Sequence, residues 1–312
     1  MRYLIIDKRQ RITGKTSTAS KRLIQELEKK DYSYDLAYSN ELEFILKDGN
    51  LTIKAAGEDI TEYSHIIFRG HSLSNEKEYH FKRYIIDYID TYNSKNPKKR
   101  ILVQNAQAIK NLPYYNKIAT ALFCVKNNLP YFDTYFRTDG DYLQDRDILN
   151  KYPLIMKDYT GENRIEKIER KEKIKKNVFK INSKDEYKNL GDIDTSHMFL
   201  QQFSSSGEDY RIFVKLGKVI GGWKRKAKGS FMTVKKGDYE MYNNPNPEIK
   251  EIAERFATLI QADFIAIDFM YINNKPYIQE ISFHPGFKAY ETKITEGNPT
   301  NIAEAIITAF RE

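Results

Sequence analysis

The stretch DFIAIDFMYINNKPYIQEISFHPGF (263–287) decides the fold of the C-terminal part of the chain. Two apolar runs, DFIAIDFMYI (263–272) and KPYIQEIS (275–282), flank Asn273 and Asn274, and this is an antiparallel hairpin signal. Each run carries one acid in its interior, Asp268 and Glu280. An unpaired carboxylate in a buried strand is costly, and two on neighbouring strands repel. Either a shared cation removes both costs, with oxygen donors favouring magnesium, or each acid pairs with a Lys or Arg. Register governs which side chains meet. A two-residue loop (Asn273, Asn274) sets Asp268 against Gln279 and turns Glu280 to the other side. A three-residue loop (Asn273, Asn274, Lys275) sets Asp268 opposite Glu280, with Ser282 next on the same face, and this register is the expectation.

Outward from the hairpin, PEIKEIAERFATLI (247–260) has helical apolar spacing. YPLIMKD (152–158), NVFKI (177–181), MFLQQF (198–203), DYRIFVKL (209–216) and KVIGGWKRK (218–226) read as strands with short connections, and AEAIITAFRE closes the chain as a helix. The first third differs. RYLIID (2–7), HIIF (65–68) and ILV (101–103) read as buried strands that alternate with the helices STASKRLIQELEKK (17–30) and EKEYHFKRYIIDYIDTY (76–92). That alternation predicts a parallel, doubly wound sheet over about the first 103 residues. PYYNKIATALFCVKNN (113–128) reads as a helix with Pro near its start, followed by the strand-like YFDTYF (131–136).

With 312 residues, more than one lobe is expected, because single cores stop growing at about 250–300 residues. The lone cysteine, Cys124, excludes an internal disulfide framework and a Cys-rich metal site. No apolar run approaches the ~18 residues of a membrane span, and MRYLIIDKRQR turns charged after six residues, unlike a signal peptide. A soluble cytoplasmic protein is the expectation.

The formal net charge is +8, and the excess is concentrated. Residues 215–236 hold eight basic side chains and no acid, which suits a polyanion or else a solubilising face. RIEKIERKEKIKK (164–176) mixes seven bases with three acids and reads as a solvated loop or exposed helix. ITGKTS (12–17) partly matches a phosphate-binding P-loop, but Arg9 stands where its first glycine belongs. A cationic loop at a strand end is the better reading. FRGHS (68–72), also at a strand end, reads either as a substrate contact or as an ordinary βα turn. The five histidines show no ligand spacing, so a zinc site is not expected. Lys157 ends PLIMK and Lys117 opens KIATALF; a lysine at such a place can hold a phosphate as a point charge, though each alone is an ordinary surface residue.

The order and spacing of NKIATALF, PLIMK, FLQQF, EDYRIFV, WKRKAKGSF, IAIDF and IQEISFHPGF resemble the ATP-grasp superfamily, in its RimK-like and glutathione synthetase-like branch. The resemblance covers about 104–312. It implies an α/β fold, α+β in its C-terminal part, with a parallel-sheet substrate lobe (1–103) and an ATP-grasp region (104–312) whose small central lobe (104–197) and C-terminal lobe (198–312) hold ATP between them. By resemblance, Lys117 and Lys157 contact ATP phosphates. Gln201, Gln202 and Phe203 form the hinge that meets adenine, and Glu208 accepts from ribose. Arg211 and Arg225 steady the transferred phosphate, and Asp268, Glu280 and Ser282 bind Mg2+, for which Mn2+ can substitute. Four positions depart from the family pattern: Ser282 for Asn, Gln202 for an acid, the polar Gln279 for an apolar residue, and a phosphate-covering loop (160–177) with one glycine, which looks long and mobile.

The implied activity is an ATP-dependent carboxylate–amine ligase that makes an amide or peptide bond through an acyl-phosphate. Its substrates are then small-molecule, peptide or protein carboxylates and amines, and a homo-oligomer is in keeping with relatives. The alternatives are a degenerate nucleotide-binding module without ligase activity and, ranked last, a nucleic-acid-binding protein using the 215–236 patch.

Overall fold

The computed structural model describes all residues except 10–13, 71–75, 145–150, 162, 169–170, 191–192, 228–236, 295–296 and 312. The N-terminal strand–helix alternation closes into a parallel sheet. β1 (Arg2–Asp7) leads through α1 (Thr18–Lys29) to β2 (Ser33–Tyr38). Then come β3 (Glu43–Lys47), β4 (Asn50–Ala55), β5 (Glu58–Asp59), β6 (His65–Phe68), α2 (Glu76–Lys95) and β7 (Leu102–Val103). The order β2-β1-β6-β7 is parallel throughout. Ser17 starts α1 by accepting from the Ser20 amide at 3.1 Å, and spacing of three and four buries Leu23 and Leu27. The antiparallel meander β3-β4-β5 was not expected from the sequence. The apolar run of β3 is largely solvated, with Leu46 78% exposed, while Ile53 and Ala55 of β4 are buried in the core.

The helix expected over 113–128 is split from its proline. α3 (Ala106–Asn111) precedes α4 (Lys117–Lys126), which begins where Asn116 accepts from the Ala119 amide at 2.7 Å. β8 (Thr134–Tyr135), β9 (Leu154–Asp158), β12 and β13 then build the central sheet. Between them, β10 (Asn163–Ile168) pairs with β11 (Lys171–Lys176), and β12 (Val178–Ile181), α5 (Lys184–Lys188) and β13 (Met198–Gln202) follow. The expected loop over 160–177 is therefore an antiparallel hairpin, with Ile165 in register with Ile174 and Glu166 with Lys173. Charge density pointed to a loop or helix, but opposite charges spaced along the chain are equally compatible with cross-strand pairing. The central sheet, order β12-β9-β13-β8, buries Tyr142, Leu154, Met156, Ile181 and Leu200.

The C-terminal sheet contains β14 (Glu208–Lys215), β15 (Lys218–Ala227), β16 (Gly237–Met241), β17 (Phe264–Ile272) and β18 (Lys275–Ser282), in the antiparallel order β16-β15-β14-β17-β18. α6 (Pro247–Ile260) covers one face, with Ala253, Phe256 and Ile260 packed in the same core as Ile212, Ile265, Ile267 and Phe269. Each of the Ile and Phe side chains contributes roughly 1.5–3 kcal/mol on full burial. Strand alternation sends Phe213, Trp223, Phe264 and Ala266 to the opposite face. There they meet Phe287 and Tyr290 of the segment around α7 (Lys288–Lys293), α8 (Ile302–Ile307), and Leu23 and Leu27 of α1. The N-terminal lobe is thus sealed onto the face that carries Asp268.

Candidate active site

The hairpin 264–282 reaches the expected pairing by a different route. Its turn has two residues: Ile272 pairs with Lys275, and Asn273 and Asn274 adopt φ +50° and +63°. Both angles are the left-handed ones a tight hairpin turn needs and asparagine tolerates. The three-residue loop expected from the sequence is therefore corrected. Register then shifts between Asp268 and Phe269: Phe269 pairs with Ile278, but Asp268 pairs with Glu280. Gln279 is the extra residue of a β-bulge, which turns Glu280 back to the face of Asp268. Ser282, opposite Ala266, follows on that face. Burial records the slip, because Pro276 and Ile278 are inward before the bulge and Ile281 and Phe283 after it.

β14 adds Arg211 directly opposite Asp268, so Arg211, Asp268 and Glu280 form one row across three strands. The guanidinium grips both carboxylate oxygens, Nε to Oδ1 at 2.7 Å and Nη2 to Oδ2 at 2.7 Å. Its Nη1 donates to the Gly286 carbonyl at 3.2 Å. Burial works against the charge on Arg211, but Asp268, and then Glu280, hold its pKa above the ordinary value. Lys117, at the start of α4, lies with Nζ 3.9 Å from Glu280 Oε1. The Lys117 amide donates to the Tyr159 carbonyl at 2.9 Å, which ties α4 to the end of β9, where Lys157 is 7% exposed and 5.3 Å from the Phe199 ring. The central region thus brings Lys117 to Glu280 of the C-terminal sheet, while Lys157 lies buried at the end of β9.

One residue pair along, Asp209 and Arg225 face each other on the same side, with Arg225 Nε 2.9 Å from Asp209 Oδ1. Burial pushes the Asp209 carboxyl up, opposed by Arg225. Trp223 stacks under both arginines, at 5.4 Å from Arg211 and 5.8 Å from Arg225. Glu208 does not join this group. Alternation puts it on the α6 side with Tyr210, where it takes a salt bridge from Lys224 at 2.8 Å and a hydrogen bond from the Tyr210 hydroxyl at 2.7 Å. Burial alone would raise the Glu208 pKa, but these two partners hold it below the ordinary value.

Gln201 and Gln202 end β13, and Phe203 begins the link to β14. The Gln201 amide side chain donates to Thr134 Oγ1 at 3.0 Å, the Gln202 backbone donates to Asp133 at 3.0 Å, and Lys180 Nζ lies 4.3 Å from the Phe203 ring. The segment therefore joins the central and C-terminal sheets, as a hinge does.

Two carboxylates and a hydroxyl on one face of paired strands are donors that fit magnesium. That ion commonly takes one or two carboxylates and fills its octahedron with phosphate oxygens and water. Among the described residues no group of three or more His, Cys, Asp or Glu is placed to hold a metal. Ser282 Oγ also accepts from the His284 amide at 3.3 Å.

The sequence reading missed two buried bases beside the row. Arg69 and Lys82 are 5% and 6% exposed. Lys82 falls at helical spacing among Tyr79, Ile85, Ile86 and Ile89 of α2, an anomaly legible in the sequence as a lysine on an apolar stripe. The acid-free patch also changes meaning. In its described part, three of the five bases pair with acids elsewhere in the sequence: Lys218 with Glu254 at 3.6 Å, Lys224 with Glu208, and Arg225 with Asp209. Residues 228–236, and His71 and Ser72 of FRGHS, lie outside the described residues.

Among the described residues, no helix is long and apolar enough to cross a membrane. No curated protein matches the chain. Solved structures do. The ATP-grasp ligase PsnB, complexed with minimal precursor, Mg and ADP, is 14% identical, with 98% of this chain and 96% of that chain covered and a TM-score of 0.63. The macrocyclase MdnC from Microcystis aeruginosa MRC, bound with precursor peptide MdnA, is 13% identical over 98% of both chains, TM-score 0.65. D-alanine–D-alanine ligase from Bacillus anthracis is 12% identical over 92% of this chain and 88% of that one, TM-score 0.59. At such identities the likeness is one of fold. The RimK-like ATP-grasp domain model matches residues 143–310, more than half the chain, and includes the Arg211–Asp268–Glu280 row, so the chain belongs to the RimK-like ATP-grasp family of ligases.

Proposed function

We propose that this protein is an ATP-dependent carboxylate–amine ligase that joins a peptide carboxylate to an amine through an acyl-phosphate. The observation that carries the reading is the row Arg211–Asp268–Glu280, approached by Lys117 from the central region. Cationic groups set against carboxylates, Lys117 at Glu280 and Arg211 at Asp268, suit a polyphosphate and its counter-ions better than they suit a neutral ligand. In the reaction proposed, a carboxylate oxygen attacks the γ-phosphorus of ATP, the bond to the β-phosphate oxygen breaks, and ADP leaves. The amine then attacks the acyl carbon, phosphate departs, and the amine loses a proton. Phosphoryl transfer asks a protein chiefly for positioning and charge neutralisation.

The residues divide that work. Lys117 and Lys157 bind phosphates as point charges. The Gln201–Phe203 backbone receives adenine between the lobes, taken as 1–103, 104–197 and 198–312. Arg211 and Arg225, whose forks are held by Asp268 and Asp209, contribute positive charge toward the transferred phosphoryl group, with Trp223 beneath both. Asp268 and Glu280, with Ser282, would hold Mg2+, which when bound supplies positive charge against the phosphate tail. Glu208 is left out because it lies on the opposite face of the sheet. A peptide substrate is favoured because PsnB and MdnC, similar in fold over almost the whole chain, are complexed with precursor peptides.

The test is ADP release with ATP, magnesium and a panel of acidic peptides, with amide products read by mass as loss of water. Glu280→Gln should lower turnover by roughly 10²–10³, the usual effect of deleting one electrostatic contact, while melting within about 1 °C of wild type. Unaltered turnover in that variant would remove Glu280 from the mechanism. A second reading, a nucleotide-binding module without ligation, is favoured by the engagement of both Asp268 oxygens with Arg211. Tight ATP binding with no ADP release on any peptide would select it.

A further inference from the structure

β3 (Glu43–Lys47) is the outer strand of the sheet β3-β4-β5, and among the described residues no strand pairs with its free side. The turn to β4 has two residues, Asp48 and Gly49, at φ +50° and +74°, and Lys47 pairs with Asn50. In so tight a hairpin the pair that flanks the turn is hydrogen-bonded, and bonded pairs then alternate along the ladder. Glu43, Ile45 and Lys47 therefore direct their backbone groups to β4. Phe44 and Leu46 turn theirs outward, to a free edge that is a template for another strand.

The side chains along this edge are apolar. Leu46 is 78% exposed, and Ile45, Leu51 of β4 and Tyr84 of α2 are exposed as well. Phe44 and Leu46 share one face of the sheet, in register with Ile53 and Leu51. On that face Phe44 packs 5.4 Å from Phe81 of α2, and Phe81 lies 6.3 Å from Tyr84. An apolar strip thus runs from the core to the open edge.

The charges of β3 select what can continue it. EFILK (43–47) has an acid at one end and a base at the other, both exposed. Turned antiparallel on a second copy about Ile45, it sets Glu43 against the partner's Lys47 and Lys47 against the partner's Glu43. Phe44 then meets the partner's Leu46, and the outward backbone groups of these two residues face each other as a hydrogen-bonded pair. A slip of one residue sets them against residues whose own groups turn to β4, and a slip of two separates Glu43 from Lys47. A parallel pairing in register sets like charges side by side, which is destabilising.

We propose that this chain forms a symmetric dimer through β3, by antiparallel pairing with β3 of a second copy centred on Ile45. The contact is self-complementary about a two-fold axis, as such an interface requires. It joins the two meanders into one continuous antiparallel sheet and covers Leu46 with the partner's Phe44. A short strand makes a small interface, so the association is reversible and in the micromolar range. It needs neither ATP nor ligation.

The test is sedimentation velocity of the full chain without nucleotide, from low to high micromolar concentration. Wild type should show a monomer–dimer equilibrium. Glu43→Lys and Lys47→Glu each place two like-charge pairs across the two-fold axis, and each should weaken the dimer by about tenfold or more. An equimolar mixture of the two variants should associate as tightly as wild type, because an all-basic strand then faces an all-acidic one. The double variant Glu43→Lys/Lys47→Glu should also recover wild-type association. Recovery on mixing shows that neither single variant is misfolded. Leu46→Ser should weaken the dimer with all charges in place. A wild-type chain that stays monomeric throughout the range overturns the proposal. So do single charge variants that dimerise as tightly as wild type, which places the contact on another surface, and a mixture no tighter than either variant alone.

Discussion

Asp268→Ala removes the acid that holds Arg211. The two groups meet through paired contacts of 2.7 Å, and their side chains are 13% and 22% exposed. Unit charges about 4 Å apart at an effective dielectric near 20 attract by about 4 kcal/mol. Breaking a buried pair from one side costs roughly 3–5 kcal/mol, because the remaining charge stays buried without its partner. Partial exposure and the surviving bond from Arg211 to Gly286 place this case at the lower end, about 3 kcal/mol. At roughly 2 °C per kcal/mol for a chain of this size, the melting temperature should fall by about 6 °C. Urea unfolding should show the same loss at unchanged slope. The double variant Arg211→Met/Asp268→Leu should recover most of that stability, because a well-packed apolar pair replaces a desolvated ionic one. A single variant within about 0.5 kcal/mol of wild type, or a double variant no better than the single, would refute the claim that this pair carries a desolvated charge.

Asp263 is buried and pushed up to about 6 by that burial, although the Asn105 amide at 2.6 Å and Arg311 at 3.3 Å oppose the effect. A carboxyl whose folded pKa exceeds its unfolded value takes up a proton on folding. Stability should therefore fall as pH rises from about 4 to about 6, by on the order of 3 kcal/mol. Asp263→Asn should flatten that slope in urea unfolding measured at pH 4.5 and 7. Gly140 adopts φ +69°, and a Cβ there would sit 2.6 Å from the Thr195 carbonyl carbon. Gly140→Ala should cost at least about 2 kcal/mol, from strain plus a backbone clash. Gly57→Ala, at φ +84° in open space, should show strain alone, about 1 kcal/mol by thermal melting.

Much of the fold was legible because period and capping act locally. The strands β1, β6, β9, β14, β15, β17 and β18, and helices α1, α2 and α6, lie where apolar spacing put them. The β3-β4-β5 meander was not legible, since the apolar run of β3 stays largely solvated and only a short alternation in β4, Ile53 and Ala55, faces the core. The β10-β11 hairpin was hidden behind its charge density. At the site, the acids stood out because each interrupts an apolar run. Their pairing was expected for a wrong reason: an extra turn residue and an extra bulge residue slip the register alike, and only backbone pairing separates them.

Local sequence determined the elements, the row-forming residue types and the family. Those depend on periodicity, caps and ordered motifs, which act within a few residues of chain. Tertiary structure alone decided the partners. It gave Asp268 to Arg211 and Arg225 to Asp209, sent Glu208 to the other face, and paired Lys218 and Lys224 of the basic patch with Glu254 and Glu208. It also buried Arg69 against the Pro285 carbonyl and Lys82 against His284. Charge pairing and desolvation depend on distances between residues far apart in the chain, such as Arg22 and Glu291 or Lys30 and Glu304, and no local pattern encodes such a distance.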